Sequence, residues 1–435
     1  MTKSNTKPIW WRALPAFFTI MMVSTIDILL LNDLIETRYA TFYNLNTTSK
    51  SSQRSMCLNA SHASGISTSL YLTTTNTPMT ISPPISDQIQ SATAKLNIIV
   101  SLSVTVPAIF SSIILGSNCH IIGRKALITI PFIGKILRYI IMLSVIIWNL
   151  SDIFIIISVI LDGMFGTSAL TILSTFAFVT DCTTLKQRTS AIIITEVSIT
   201  FARIVTLVGL GYYLKYFGYL IPFCVALGLS ILGFLYSLLF QPESNQTVAH
   251  LNILQQIKLV RLKPLFKVLQ VFTIKRKSNN RKMLLLTVLT HFELHTLEVS
   301  LNSSAQAILV FVFTIIFTLT NKSDSFLIPV TGLITFMIQL VLFGIARSVW
   351  LLYLAVSIGA VNLVTSGVIR SRITKLVEPD EYAVVFVFAG IVESAGYYAI
   401  AAMCNEIYNA TIHIDPGVVF YVLAGIGIPP LLIMG

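Results

Sequence analysis

Charge is scarce in this chain of 435 residues, and acidic charge scarcer still. Asp and Glu number 18 against 29 Lys and Arg, and all four together make up 11% of the sequence, against roughly 25% in soluble domains. Cysteine is sparse too. Cys57, Cys119, Cys182, Cys224 and Cys404 show neither C-x-x-C nor metal-ligand spacing, so no zinc or redox centre is expected. No glycine-rich phosphate loop is present, which argues against an ATP-driven machine. No catalytic constellation stands out either, so neither an enzyme nor a cofactor is expected. Apolar residues, by contrast, reach 55%, and mean hydropathy is +0.82. A soluble core of this length cannot bury so much apolar surface, so the chain is read as crossing a membrane many times. A net charge of +11 would suggest nucleic acid in a soluble protein. Here the cations gather between apolar runs, which reads as membrane topology.

The polar stretch Gln241–Lys282 organises the rest. It carries Lys258, Arg261, Lys263, Lys267, Lys275, Arg276, Lys277, Arg281 and Lys282, with Glu243 as its one acid. Such a loop is expected in the cytoplasm. The expected domains are a six-helix bundle over 1–240, a basic linker over 241–282 and a second six-helix bundle over 283–435. The first six spans are placed at 15–35, 95–117, 126–148, 152–179, 190–212 and 219–240. The second six are placed at 283–301, 304–320, 325–346, 349–369, 382–404 and 416–435. The class is therefore an all-α membrane protein of twelve helices. Lys3, Lys7 and Arg12 precede the first apolar run, and no small-residue cleavage site follows a short core, so that run is expected to be a retained span. Within the linker, Leu251–Phe272 reads either as an amphipathic helix on anionic lipid or as a solvated connection.

Cation counts agree with this topology. Lys3, Lys7, Arg12, Arg124, Lys125, Lys186, Arg188, Lys322, Arg370, Arg372 and Lys375 fall on the inner side with the linker. The first loop, Glu36–Ala94, falls outside and is rich in Ser and Thr. It holds glycan acceptors at Asn46 and Asn59, and Asn409 lies in the last outer loop. Asn245 and Asn321 would lie inside and unused.

Ionisable groups within spans cost roughly 2.5–3.5 kcal/mol each on insertion scales and mark candidate function. They are Asp27, Lys135, Arg138, Asp162, Glu196, Arg203, His291, Glu293, His295, Glu298 and Glu393. Glu196 and Arg203, seven apart, lie on one helix face and can share a cavity without pairing directly. Lys135 and Arg138, three apart, repel each other and need an anion: Asp27, Asp162 or a bound ligand. His291, His295 and Glu298 also share a face. Phe292 stands where a zinc hydrolase would have its Glu, so a proton relay, cavity lining or helix–helix hydrogen bonding is read there and no metal is assigned.

Twelve spans divided by a basic loop resemble the major facilitator superfamily. Its inner loop between spans two and three carries G-x-x-x-D-x-x-G-R-K/R, and Gly116, Gly123, Arg124 and Lys125 stand in that pattern, with His120 in place of the Asp. In the family that carboxylate caps a helix and pairs with basic groups to hold one conformation. Val179–Thr189, running on to Glu196, looks like the fourth-to-fifth-span signature of solute carrier family 46, the proton-coupled folate transporter and its relatives. Thr290–Phe292 looks like its seventh-span His-Phe. Gly367–Glu381 and Asn405–Thr411 resemble its tenth to twelfth spans. The resemblance covers most of Gly116–Val422 and is weakest across 300–348.

The resemblance implies two six-helix bundles rocking about a midplane cavity, with proton-coupled symport of an organic anion, folate-like or peptidoglycan-fragment-like. It places proton coupling on Glu196 and His291 and substrate near Arg370, and it makes Asp181 and Arg188 part of the conformational motif. Chemically, Arg203, Lys135, Arg138, Asp162 and Glu393 complete the expected cavity. Partners are then the substrate, protons and the bilayer. The expected location is the plasma membrane, or alternatively a lysosomal or endosomal one. Departures from the family stand at His120, at Ala191 where a second Arg is common, at Glu393, and at Cys57, whose outer partner is missing. They suggest a divergent member. The runners-up are an uncoupled facilitator and a non-transporting receptor or scaffold on a decayed transporter fold.

Overall fold

The computed structural model describes residues 9–42, 85–245, 327–378, 381–382, 384–390, 392, 400, 403–404, 407, 411, 415 and 417–428. A 3-10 turn, Trp10–Ala13, leads into α1 (Leu14–Phe42). Then follow α2 (Ile85–Ser117), α3 (Cys119–Ile122), α4 (Arg124–Trp148), α5 (Asp152–Met164), α6 (Thr167–Cys182), α7 (Leu185–Phe217) and α8 (Leu220–Leu239). Beyond the linker come α9 (Leu327–Ile345), α10 (Val349–Leu376) and α11 (Val418–Ile426), and residues 384–390 are also helical. No strand occurs among the described residues.

Six helical runs in the described residues are long and apolar enough to cross a bilayer, and they fall on the six spans expected in the first half. Two boundaries differ from the sequence reading. First, α1 continues to Phe42 and α2 begins at Ile85, so helix intrudes on both ends of the loop expected over Glu36–Ala94. Thr37 and Thr41 donate their hydroxyls to the carbonyls of Asp33 and Thr37, both at 2.8 Å, so their polar groups are satisfied within the helix beyond the apolar run. Second, the expected span 152–179 is two helices. Gly166 (φ 90°) and Thr167 (φ 53°) adopt left-handed backbone and interrupt the ladder between α5 and α6. The expected spans 325–346 and 349–369 appear as α9 and α10. Those at 283–301 and 304–320 lie outside the described residues, and 382–404 and 416–435 are described in part.

The chain divides into two compact units, residues 27–102 and the remainder. In the remainder, α4 packs on α5, α6 and α8. Ala13, Phe17, Ile20, Ile128, Phe132, Phe178 and Ile199 fill one apolar core. A second core joins the first-half residues Cys119, Leu127, Leu173 and Phe176 to the second-half residues Phe336, Ile369, Tyr382, Val385 and Val387. Glycine permits a close approach between them: a Cβ on Gly116 would collide with the Val387 side chain. Residues from the two halves of the sequence therefore pack against each other near the basic motif.

Candidate functional site

Three charged clusters lie in the described bundle, each built on a different set of segments. The first sits at the basic end. Gly123 (φ 93°) turns the chain between α3 and α4 and leaves the first backbone N–H groups of α4 unpaired by the helix itself. Glu243, just past α8, fills that position. Its two carboxylate oxygens accept from the N–H of Arg124 at 2.9 Å and of Lys125 at 3.0 Å. A carboxylate there both caps the helix and meets the positive end of its dipole. The Arg124 guanidinium, 2% exposed as a residue, donates Nε to Asp181 at 2.9 Å and also contacts the Cys119 sulfur. Ser244 donates to the same Asp181 oxygen at 3.3 Å. Burial pushes the Cys119 thiol up to about 11, with Arg124 opposing the shift.

The sequence reading expected the carboxylate of this motif at position 120 and found His. His120 lies on α3, and its side chain is outside the described residues. The structure supplies two acids to the motif from elsewhere, Asp181 to the guanidinium and Glu243 to the helix end. Glu243 was legible only as the single acid in a basic stretch.

The second cluster is buried in the first half. Lys135 Nζ and Arg138 Nη1 both donate to Oδ2 of Asp162 at 2.8 Å. Asp162 is wholly buried, with Lys135 and Arg138 only 3% and 6% exposed. Of the anions considered from the sequence, Asp162 is thus one that both cations share. It ends α5 just before the break, where Ser111 also holds the Gly163 carbonyl at 2.8 Å. Asp27 is buried within the other unit.

The third cluster crosses between the halves along α7 and α10. Nearest the basic end, Arg188 donates to the Tyr382 hydroxyl at 3.1 Å and stands 5.1 Å from that ring's centroid. Thr189 and Ser371 share a hydrogen bond at 2.8 Å, and Lys375 donates to Thr189 at 3.2 Å. Two turns further in, Glu196 Oε2 lies 3.3 Å from Arg370 Nε, and Ser366 donates to Glu196 Oε1 at 3.1 Å. The Arg370 guanidinium also sits over Phe176, 4.8 Å from its centroid, and Phe176 packs on Phe386. Glu196 and Arg370 are 5% and 4% exposed, so the pair is shielded from water. Between these contacts, Gly367 lets α10 come within reach of the α7 backbone at Ile193.

Of the residues singled out from sequence, Glu196 and Arg370 come together, as do Lys135, Arg138 and Asp162, and Arg124 and Asp181. Arg203 lies half-buried on α7. His291, Glu393, Asn46, Asn59 and Asn409 lie outside the described residues. Phe176, Ser366, Tyr382 and Glu243 were missed, since each acquires its role from a partner remote in sequence.

Comparison with known proteins accords with this architecture. Residues 64–401 match the model of the Major Facilitator Superfamily. The proton-coupled folate transporter of Bos taurus is 21% identical over 378 residues, 81% of this chain and 80% of the relative. The lysosomal proton-coupled steroid conjugate and bile acid symporter of Gallus gallus is 24% identical over 375 residues, 79% of each chain. These relatives bear out the resemblance to solute carrier family 46. Among solved structures, a human organic anion transporter superposes with a TM-score of 0.65 at 14% identity, over 99% of this chain and 100% of that one. The E. coli fucose:proton symporter superposes with a TM-score of 0.60 at 11% identity, over 98% and 97%. The protein belongs to the major facilitator superfamily and is a multi-pass membrane transporter, not an enzyme.

Proposed function

We propose that this transporter is a symporter that moves an organic anion together with a proton. The observation that carries the reading is the buried contact between Glu196 and Arg370, which ties the two halves together at their closed end. An uncompensated charge is costly in such a site. In the resting pair each charge offsets the other. A proton alone on Glu196 would remove the negative charge that faces Arg370, and an anion alone would bring a second negative group to the same guanidinium. Proton and anion together restore balance, so each favours the other's binding.

His291 is a second proton carrier in this proposal. Lys135, Arg138, Asp162, Arg203 and Glu393 form the charged wall of the cavity, with Gly116, His120, Gly123, Arg124, Lys125, Asp181 and Arg188 serving the conformational change. The relatives' names supply the substrate range: folates in one, steroid conjugates and bile acids in the other. An amphipathic organic anion is common to both. The bundles are assigned to 1–240 and 283–435, with both termini and the linker 241–282 facing the cytoplasm, glycans on Asn46, Asn59 and Asn409, and the plasma membrane as residence.

Reconstituted vesicles with acid outside test the reading. The wild type concentrates a folate or a bile acid conjugate. Glu196→Gln, fixed in a proton-loaded form, still exchanges substrate at equal pH but loses uphill uptake. Concentration of substrate by the variant as by the wild type would remove Glu196 from coupling.

A further inference from the structure

We infer that the cleft between the first and sixth spans is a site for one anionic phospholipid from the leaflet at the basic end. The cleft measures about 370 Å³, within the roughly 300–1,000 Å³ of ligand sites. Pro15 and Thr19 of α1 line one side, and Leu232, Leu235, Tyr236, Leu239 and Phe240 line the other, with Gly233 at its floor. Gly233 lets the sixth span pack closely at the floor of the cleft, since a Cβ there would collide with the Phe132 ring and lie 2.7 Å from Thr19 Oγ1. Leu239 and Phe240 are more than 60% exposed, so the slot opens on the bilayer side of the bundle.

At its basic end the cleft adjoins one cationic residue, Arg12. Tyr236 donates its hydroxyl to the Arg12 carbonyl at 3.0 Å, which ties the sixth span to the turn that starts the first. The Tyr236 ring stacks on Phe240, with centroids 5.6 Å apart. Arg12 is exposed, and so is Trp11, at 53%. Trp and Arg at the end of a span sit at headgroup level. An apolar slot beside an exposed Arg complements an acyl chain joined to a phosphate that carries net negative charge. A sterol would fill the slot and leave the cation without an anion, and a zwitterionic lipid would bring its own ammonium against Arg12. Both walls belong to the first half, so a lipid held there rides with one bundle.

Native mass spectrometry of the purified full-length transporter tests this with two lipids, phosphatidylserine and phosphatidylcholine, added singly and in competition. One phosphatidylserine is expected to stay bound, with about a fivefold preference over phosphatidylcholine, as one surface cation can provide. Arg12→Gln is expected to abolish the preference while leaving a lipid bound. Thr19→Phe, which fills the slot, is expected to remove the bound lipid of either kind. Equal retention of the two lipids by the wild type, or retention unchanged in Thr19→Phe, would overturn the assignment. Circular dichroism of each variant confirms that it is folded before its lipid is read.

Discussion

Glu243 caps the third span from the far side of the sixth: its carboxylate accepts the N–H groups of Arg124 and Lys125, more than a hundred residues away in sequence. The family carries an Asp in the inner-loop motif, and here His120 stands at that position. The acid has not been dispensed with but is supplied from another segment, so the motif retains a carboxylate at its helix end.

Removing that carboxylate should loosen the start of α4. Glu243→Ala is expected to cost about 0.5–2 kcal/mol, the usual range for a lost helix cap. Hydrogen exchange at Arg124 and Lys125 is the direct measure, and these amides should exchange faster while those in mid-helix do not. Glu243→Gln, which keeps an acceptor at the helix end, should retain much of the protection. Unchanged exchange in the single variant would show that the cap is dispensable.

Asp162 is expected to be required for folding. Asp162→Ala leaves Lys135 and Arg138 without the carboxylate they share, a loss of about 3–5 kcal/mol for a buried pair. Monodisperse yield after detergent extraction should fall sharply. Replacing all three with Lys135→Met, Arg138→Met and Asp162→Leu should recover much of that yield. A normal yield from Asp162→Ala alone would mean that another group balances the cations.

The seam between α7 and α10 depends on Gly367. A Cβ there would lie 3.0 Å from the Cα of Ile193, in backbone that cannot easily give way. Gly367→Ala should therefore weaken the closed basic end, and Gly367→Leu should do so more. A cysteine at Thr374, buried in the closed form, reports the change through its labelling rate from the basic side. Rates unchanged in both variants would count against the seam as a gate.

Arg370 should not tolerate Lys. Both residues carry the charge, but only the planar guanidinium can lie over Phe176 while facing Glu196. Arg370→Lys is expected to raise the half-saturation for an anionic substrate nearly as much as Arg370→Ala, at similar surface expression. Wild-type half-saturation in the Lys variant would mean that charge alone suffices.

Cys119 should be chemically silent. Burial raises its thiol to about 11, so at neutral pH it stays protonated, and the thiolate is the reactive form. Maleimide at pH 7.5 should leave Cys119 unmodified in the folded protein and modify it after unfolding, as read by peptide mass spectrometry. Rapid modification in the folded state would show that α3 opens readily.

By itself the sequence determined the membrane class, the six described spans of the first half and the positions of the charges that must be answered inside them. Those are local properties, since a bilayer demands about twenty consecutive apolar residues and penalises each charge wherever it occurs. The resemblance to its family was equally legible, because motifs such as Gly123-Arg124-Lys125 are contiguous. Only the tertiary structure decided how each charge was answered: Glu196 by Arg370, Lys135 and Arg138 by Asp162, and the end of α4 by Glu243. An ion pair depends on which helix faces meet and at what depth, and no periodicity within one helix encodes that. The break between α5 and α6 also escaped the reading, because Phe165-Gly166-Thr167 interrupts the hydrogen bonds without interrupting the apolar run.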